Sequence, residues 1–380
     1  MSAGPLAGLR VIELAGLAPA PFTCTMLADL GAEVVRVDRA TPGEDVLGIN
    51  EDPLMRSRRS IGVNTKTAEG VEVVLRLAEQ ADVLIEGFRP GVAERMGLGP
   101  EAVHARNRGL VYGRVTGWGQ DGPLASSAGH DINYIGLSGA LEPIGRSGQR
   151  PVPPLNLVAD FGGGGLYLAM GVLAALYERM SSGQGQVVDA SMVDGSAMLT
   201  THLHGLRTAG LWAGERGENM LDGGAPFYDT YETADGKYVA VGAIEQRFWR
   251  DLVTVLGLDP DELPPHIDVN EWSELRETLA GEISRYTRDE LVERAAGTDA
   301  CLTPVLSPAE APEHPHNVAR QTFVEVDGVP QPAPGPKFDR TPAADPEAAP
   351  GKGADTTEVL TEFGYDAQKL QELRAAGAIG

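Results

Sequence analysis

Residues 9–38 read LRVIELAGLAPAPFTCTMLADLGAEVVRVD, and the fold class turns on them. Leu9–Leu14 (LRVIEL) is a short β-branched run that reads as a strand. Pro21–Leu30 reads as a helix stopped at Gly31, and Glu33–Asp38 (EVVRVD) as a second strand. Outward from there the alternation continues. Val71, Val74, Leu75 and Ala78 share one face of a helix over 67–79, and Asp82–Ile85 and Leu110–Val115 are further strands. Strands spaced by helices argue for an α/β fold, a parallel sheet with helices on both faces. Such sheets take ligands beyond their C-terminal strand ends, which singles out the loops after Leu14, Asp38, Ile85 and Val115. The first of these loops, Ala15–Pro21, is not GxGxxG, and no Walker A pattern occurs. The half is Rossmann-like without the usual NAD or ATP phosphate cradle.

From about residue 220 the pattern changes. Phe227–Glu232 and Lys237–Ala243 flank Asp235-Gly236, a short-range hairpin signal, and helical patterns follow at 245–257 and 271–285. Ser307-Pro308-Ala309-Glu310 reads as a capping box with Pro at the first helical position, hence a helix start. Residues 330–351 hold seven prolines and read as an extended linker, and a last helix runs from about Asp366 to Ala375. The expected division is a large domain over 1–200, a linker over 201–224 and a small α+β domain over 225–329.

Of 380 residues, 31 are Lys or Arg and 54 are Asp or Glu, a net charge of −23. That charge disfavours nucleic acid and anionic lipid as main partners. An apolar share of 42% suits a folded core rather than disorder. Two cysteines, Cys24 and Cys301, exclude a disulfide framework and a Cys-rich zinc site, and suit a reducing compartment. Met1–Leu9 has no leader character, the terminal Ala-Ile-Gly is no peroxisomal address, and Leu166–Leu176 is about half a bilayer span. These features lead us to expect a cytoplasmic protein with no membrane partner.

Three residues could carry chemistry. Asp160 leads into Gly162–Gly165 and a long apolar helix. One reading is a plain N-cap. The other is a carboxylate base or nucleophile, with the glycines letting a ligand approach the backbone. His130, in Gly129-His130-Asp131-Ile132-Asn133-Tyr134, sits where a helix begins, and N–H groups there can hold an oxyanion. Glu245 follows the second hairpin strand, and by itself reads as a first-turn acidic residue. Basic residues cluster at Arg36, Arg39, Arg56, Arg58 and Arg59, either a solvated patch or a phosphate site. His202 and His204 are two apart on a helical pattern and face different ways, so no metal site is read.

Several long segments together resemble the α-methylacyl-CoA racemases of the family III CoA-transferase superfamily. They are LRVIELAGLAPAPF near the start, AGHDINY (128–134), PPLNLVADFGGGGL (153–166), NMLDGGAPFYDTY (219–231), YVAVGAIE (238–245) and ACLTPVL (300–306). The resemblance implies a homodimer of interlocked rings. Each subunit would have a Rossmann-like large CoA domain and a smaller α+β domain, with 330–380 returning to the large one. It implies that His130 and Asp160 are the two catalytic bases, that Glu245 orients or charges His130, and that Asn156 hydrogen-bonds Asp160. It also implies CoA contacts at Arg39, Gly62, Val63, Asn64, Thr65, Glu86, Gly87, Phe88, Arg95, Gly129 and Tyr134. Arg59 is added from the basic cluster.

The implied substrate is a 2-methyl-branched acyl-CoA thioester, with CoA as part of the substrate and no separate cofactor or metal. Racemisation takes the α-proton from one face of a planar enolate and returns one to the other, which needs two acid/base groups. The N–H of Asp131 is the expected enolate donor. Met192, Met198 and Met220 are candidates for an adaptable acyl surface. A CoA-transferase using Asp160 as nucleophile is the rival reading, and a non-enzymatic acyl-CoA binder a second.

Overall fold

Val11, Ile12, Val35, Val83, Leu84, Ile85 and Val111 are all fully buried, which requires strands covered on both faces. In the computed structural model, which describes residues 4–40 and 52–380, they lie in one six-stranded sheet. Its strands are β1 (Arg10–Leu14), β2 (Glu33–Arg39), β3 (Arg59–Val63), β4 (Val83–Glu86), β5 (Val111–Thr116) and β6 (Val187–Ser191). All neighbours run parallel in the order β3-β2-β1-β4-β5-β6. Ile12 pairs with Val35 on one side and Leu84 on the other, at the point where the order reverses. Loops leaving β1 and β4 there open a crevice for a ligand.

The crossovers are helical. α1 (Pro19–Asp29) joins β1 to β2, and α2 (Ala68–Glu79) joins β3 to β4. Thr67 caps α2, its Oγ1 accepting the Gly70 N–H at 3.0 Å, and Val73, Val74, Leu77 and Ala78 form its buried face. Short α3 (Val92–Arg95) and α4 (Pro100–Arg106) lie between β4 and β5. Beyond β5 come α5 (Asp131–Ser138), a π-helix over Leu157–Leu166, and α6 (Tyr167–Ser182), while α7 (Met192–Leu199) follows β6. Two strands of this sheet, β3 and β6, escape the sequence reading. Arg59 and Ser60 open β3, so the basic cluster hides it.

The chain forms two compact units. One comprises Met1–Ser138, Leu155–Leu199 and Pro315–Gly380, the other Gly139–Pro154 and Thr200–His314. The second therefore takes in 139–154 and 200–224. Instead of a bare linker, 201–224 holds α8 (Thr201–Thr208) and a knotted turn in which Asp222 accepts the N–H groups of Gly217, Asn219 and Gly224. The second unit continues with β7 (Tyr228–Glu232), β8 (Tyr238–Gly242), α9 (Gln246–Val255), α10 (Trp272–Ile283), α11 (Arg288–Ala295) and β9 (Leu302–Pro304), an antiparallel sheet in sequential order backed by helices. Its core gathers Phe227, Val239, Trp249, Leu252, Leu279 and Leu291. The Ser307–Glu310 capping bonds form, yet only a single 3₁₀ turn over Ala311–Glu313 follows. Pro312 and Pro315 stop it from growing.

From α12 (Pro315–Arg320) the chain belongs to the first unit. β10 (Phe323–Val326) and β11 (Val329–Pro332) make a hairpin around Asp327-Gly328, both at positive φ, so the Pro-rich stretch is not wholly extended linker. α13 (Thr356–Glu362) and α14 (Ala367–Ala375) bury Val359, Leu360, Phe363 and Leu373 with Ile61, Val63 and Leu77. The last residues then lie antiparallel to β3: Asn64 N–H reaches Ala378 O at 2.8 Å and Gly380 N–H reaches Gly62 O at 3.0 Å. That covers a sheet edge that would otherwise be open.

Charge is buried under this sheet. The Glu13 side chain, 0% exposed, holds both Arg36 and Arg58. Arg58 also donates to Pro21 O at 2.5 Å and Thr25 Oγ1 at 2.6 Å, tying α1 to β1. Removing Arg58 leaves buried Glu13 with Arg36 as its remaining cation and takes a donor from Pro21 O. Arg58→Ala should lower the unfolding free energy by about 3–5 kcal/mol. The urea midpoint followed by circular dichroism reads this directly, and a midpoint equal to that of the native chain would refute it.

Candidate active site

Two helix starts meet in the large unit. His130 immediately precedes α5, and its backbone is bracketed by Asn133: the His130 N–H donates to Asn133 Oδ1 at 3.1 Å, and the Asn133 N–H to His130 O at 2.8 Å. The imidazole faces outward. Asp160 lies in the first turn of the π-helix, half-buried, with Oδ2 accepting from Asn156 Nδ2 at 3.1 Å. Between the two helices lies Asp131, 5% exposed, whose Oδ2 accepts the N–H of Ala159 at 2.7 Å and of Asp160 at 2.8 Å. Burial pushes the Asp160 carboxyl above its ordinary value. The Asn156 hydrogen bond works against that shift, the Asp131 charge adds to it, and His130 opposes it from within electrostatic reach.

The glycines after Asp160 serve packing, which corrects the expectation of ligand approach. A Cβ on Gly163 would stand 2.6 Å from Ser196 N, and one on Gly195 would stand 1.9 Å from Gly163 O. Gly164 is hemmed in by Ala159 O and Met192, and Gly165 by Phe22 and Pro19 O. The π-helix thus passes α1 and α7 backbone to backbone. Wide i→i+5 turns are rare and concentrate at functional sites. Gly195 went unnoticed in the sequence, although Gly195-Ser196-Ala197 is a run of small residues.

Gly129 and Tyr134, expected as CoA contacts, pack together as a buttress. Tyr134 is 6% exposed, its hydroxyl donates to Gly129 O, and its ring meets Trp118 edge-on at 4.8 Å. A Cβ at Gly129 would fall 2.7 Å from the Tyr134 ring. The buttress holds the loop that presents His130.

Most of the basic cluster is engaged inside the fold. Arg36 pairs with Glu13 and Asp38, Arg56 with Asp29, Arg58 with Glu13. Arg59 bridges Glu33 and Glu362, so its proposed part in binding an anionic ligand has a competing internal use. Glu86 is likewise inward, accepting from Arg114 at 2.8 Å and from the Phe88 N–H at 2.6 Å. Gly62, Val63 and Asn64 carry the residues 377–380 described above, while Thr65 is half-buried beside them. Gly87 and Phe88 are half-buried in the loop after β4, Gly87 close against Ala20 and Phe88 against the core. Arg39 at the end of β2 and Arg95 on α3 are exposed. A further exposed cation, Arg89, was missed: it lies near enough to Tyr134 to oppose the upward push that burial gives its phenol. Its place in the loop after β4 is the signal that would have found it.

Glu245 belongs to the second unit, exposed at the N-cap of α9 and within electrostatic reach of Cys301. Of the three methionines, Met198 is exposed, Met192 is buried and Met220 packs on the second core.

The sequence profile of CoA-transferase family III matches residues 6–356, and the chain belongs to that family. It is 48% identical over 375 residues to the α-methylacyl-CoA racemase of Mus musculus, covering 97% of this chain and 96% of that one. It is 46% identical over 374 residues to the α-methylacyl-CoA racemase of Homo sapiens, with the same coverage. Among solved structures, a CAIB/BAIF family protein from Brucella suis superposes with a TM-score of 0.81 at 27% identity, covering 95% of this chain and 100% of that one.

A carboxyl whose folded pKa is raised is destabilising once ionised. The unfolded chain releases that proton first, so stability falls as pH climbs from the ordinary aspartate value through the raised one. Asp160→Asn cannot ionise and should melt higher than the native chain at pH 7.5. The gap should close as pH is lowered toward about 4. Scanning calorimetry at both pH values checks this, and a variant that melts lower at pH 7.5 would count against it.

Proposed function

We infer that this enzyme interconverts (2R)- and (2S)-2-methylacyl-CoA thioesters, with His130 and Asp160 as the two acid/base groups. The observation that carries the reading is the pairing itself. An imidazole and a carboxyl with raised proton affinity flank a helix junction, in a chain nearly half identical to two α-methylacyl-CoA racemases. The α-carbon of a thioester is weakly acidic, so a base near neutrality and a donor for the enolate oxygen must act together. One group takes the α-proton, the C–H electron pair moves into the enolate, and the other group returns a proton to the opposite face. Burial makes the Asp160 carboxyl a stronger proton acceptor than an ordinary aspartate, which suits it to both taking and returning the α-proton. The N–H of Asp131 opens α5, where no preceding turn supplies an acceptor, and we assign it to the enolate oxygen. Exposed Arg39, Arg89 and Arg95 around the C-terminal ends of β2 and β4 suit the CoA phosphates.

The rival chemistry, attack by Asp160 on the thioester carbonyl to give a mixed anhydride, leaves His130 without a task. Acyl-Asp160 trapped by hydroxylamine together with CoA transfer to a free acid would favour it.

We further propose a homodimer of interlocked rings, with Glu245 of a second copy orienting His130, working in the cytoplasm, where the free thiols of Cys24 and Cys301 stay reduced. The π-helix and α6 together run 26 residues and are long and apolar enough to cross a membrane. However, Leu168, Ala169, Val172 and Ala175 are buried within the unit, and Gly113 of β5 lies directly against Leu168 and Val172. What is left bare is a stripe: Leu166, Met170, Leu173, Tyr177 (76% exposed) and Met180 (83% exposed). Its alternating four- and three-residue spacing suits a second copy of this chain.

Two measurements test this function. In deuterated buffer the protein should exchange the α-proton of a 2-methylacyl-CoA, and His130→Ala and Asp160→Ala should each slow exchange by about 10²–10⁴-fold, read by mass spectrometry. Native rates in both variants would overturn the assignment. A Tyr177→Glu/Met180→Glu chain should sediment at the monomer mass where the native chain sediments at twice that, and equal masses would remove the dimer proposal.

A further inference from the structure

We propose that the Asp131 carboxylate is a positioning residue for this reaction: one of its oxygens spans the starts of the two helices that carry His130 and Asp160, and so sets the separation of the two bases. The inference rests on the reading of those two groups as acid and base, and goes beyond it by giving a task to a side chain that touches neither substrate face.

The geometry is economical. Asp131 follows His130 directly in the chain, and its Oδ2 holds two consecutive N–H groups, those of Ala159 and of Asp160 itself, at 2.7 and 2.8 Å. The bridge is therefore next in the chain to one base and bonded to the backbone of the other. The Asn133 bracket and the Tyr134–Gly129 buttress hold one end, and the glycine contacts with α7 hold the other. Misplacement of reacting groups by about 1 Å can cost about 10²-fold in rate.

A purely structural cap does not account for the other oxygen. Asp131 Oδ1 is buried and has no hydrogen-bond partner among the described residues. A buried, half-satisfied carboxylate is costly, and a neutral acceptor would hold the same two N–H groups without it. The charge has a consequence for its neighbours. Asp160 is faced by Asp131 and His130 and by the amide of Asn156, and Tyr134 is faced by Asp160, Asp131 and Arg89. Of these, Asp131 is the nearby negative group that makes Asp160 harder to ionise. Neutralising it should let Asp160 ionise at lower pH.

The test uses Asp131→Asn, which keeps an acceptor oxygen but loses the charge, and Asp131→Ala, which loses both. Deuterium exchange is followed against pH in the full-length protein. The Asp160 carboxyl is titrated separately by ¹³C NMR of aspartate-labelled protein, its signal assigned by its loss in Asp160→Asn. For Asp131→Asn we expect KM within about threefold of native, and the acid limb of kcat/KM displaced to lower pH by about half a unit or more. For Asp131→Ala we expect kcat reduced by about 10²-fold. An Asp160 signal titrating identically in native protein and Asp131→Asn overturns the inference, whatever the activity. Native kcat in a folded Asp131→Ala overturns it as well. A native protein that never exchanges the α-proton would sink the racemase reading instead, while the NMR titration would still decide the part assigned to Asp131.

Discussion

Where Gly163 meets Gly195 there is no room for a methyl group, and much of the site follows from that exclusion. A helix that must pass another backbone to backbone can carry no side chain at the crossing, and four glycines in a row provide for it. Glycine is costly inside a helix, and successive glycines favour ordinary helical geometry little. Here the segment adopts the wider π form, and its opening turn delivers Asp160 next to the start of α5. The weak intrinsic helix is compensated by packing on α1 and α7 and by the hydrogen bonds it receives from outside. Tight packing and the placement of Asp160 are, in this segment, one constraint.

Electrostatics divides the molecule in a similar way. With a net charge of −23 the surface repels anions overall. The arginines that could offset this locally are largely drawn inward, where Glu13, Asp29, Asp38 and Glu33 hold Arg36, Arg56, Arg58 and Arg59. Those ion pairs fasten α1 and β3 to the centre of the sheet. Among the exposed cations, Arg39 ends β2, Arg89 lies in the loop after β4 and Arg95 lies on α3. Few exposed cations in an acidic background make a more selective anchor for an anionic cofactor-like group than a generally basic face would.

The β-α-β reading of residues 9–38 was legible because its strands are buried on both faces and so print as dense β-branched runs, interrupted by Glu13 in β1 and by Arg36 in β2. β3 was hidden for the opposite reason, since its first residues are a half-buried arginine and a serine whose partners Glu362 and Asp355 lie far along the chain. The Asp327-Gly328 hairpin was overlooked among prolines although its turn signal is as good as that of Asp235-Gly236. At the site, the hydrogen bond from Asn156 to Asp160 was readable from motif. The role of the Asp131 side chain was not, because it depends on N–H groups 28 and 29 residues away. The glycines were read as room for a ligand when the neighbour filling the space was α7. Sequence spacing reports local geometry well, and it is silent about which distant backbone comes to lie alongside.

The large unit is discontinuous, and synthesis must respect that. Its sheet is assembled from residues before 200, yet α13, α14 and the strand-like segment against β3 lie beyond residue 355. A chain emerging from the ribosome therefore presents β3 as an unpaired edge for as long as the second unit takes to be made. During that interval the nascent sheet is open to neighbours on the same polysome. Closing it requires contacts spanning some three hundred positions, a slow step by loop-closure entropy. The protein's vulnerability to misassembly is thus concentrated in time, between translation of its first half and arrival of its last helix.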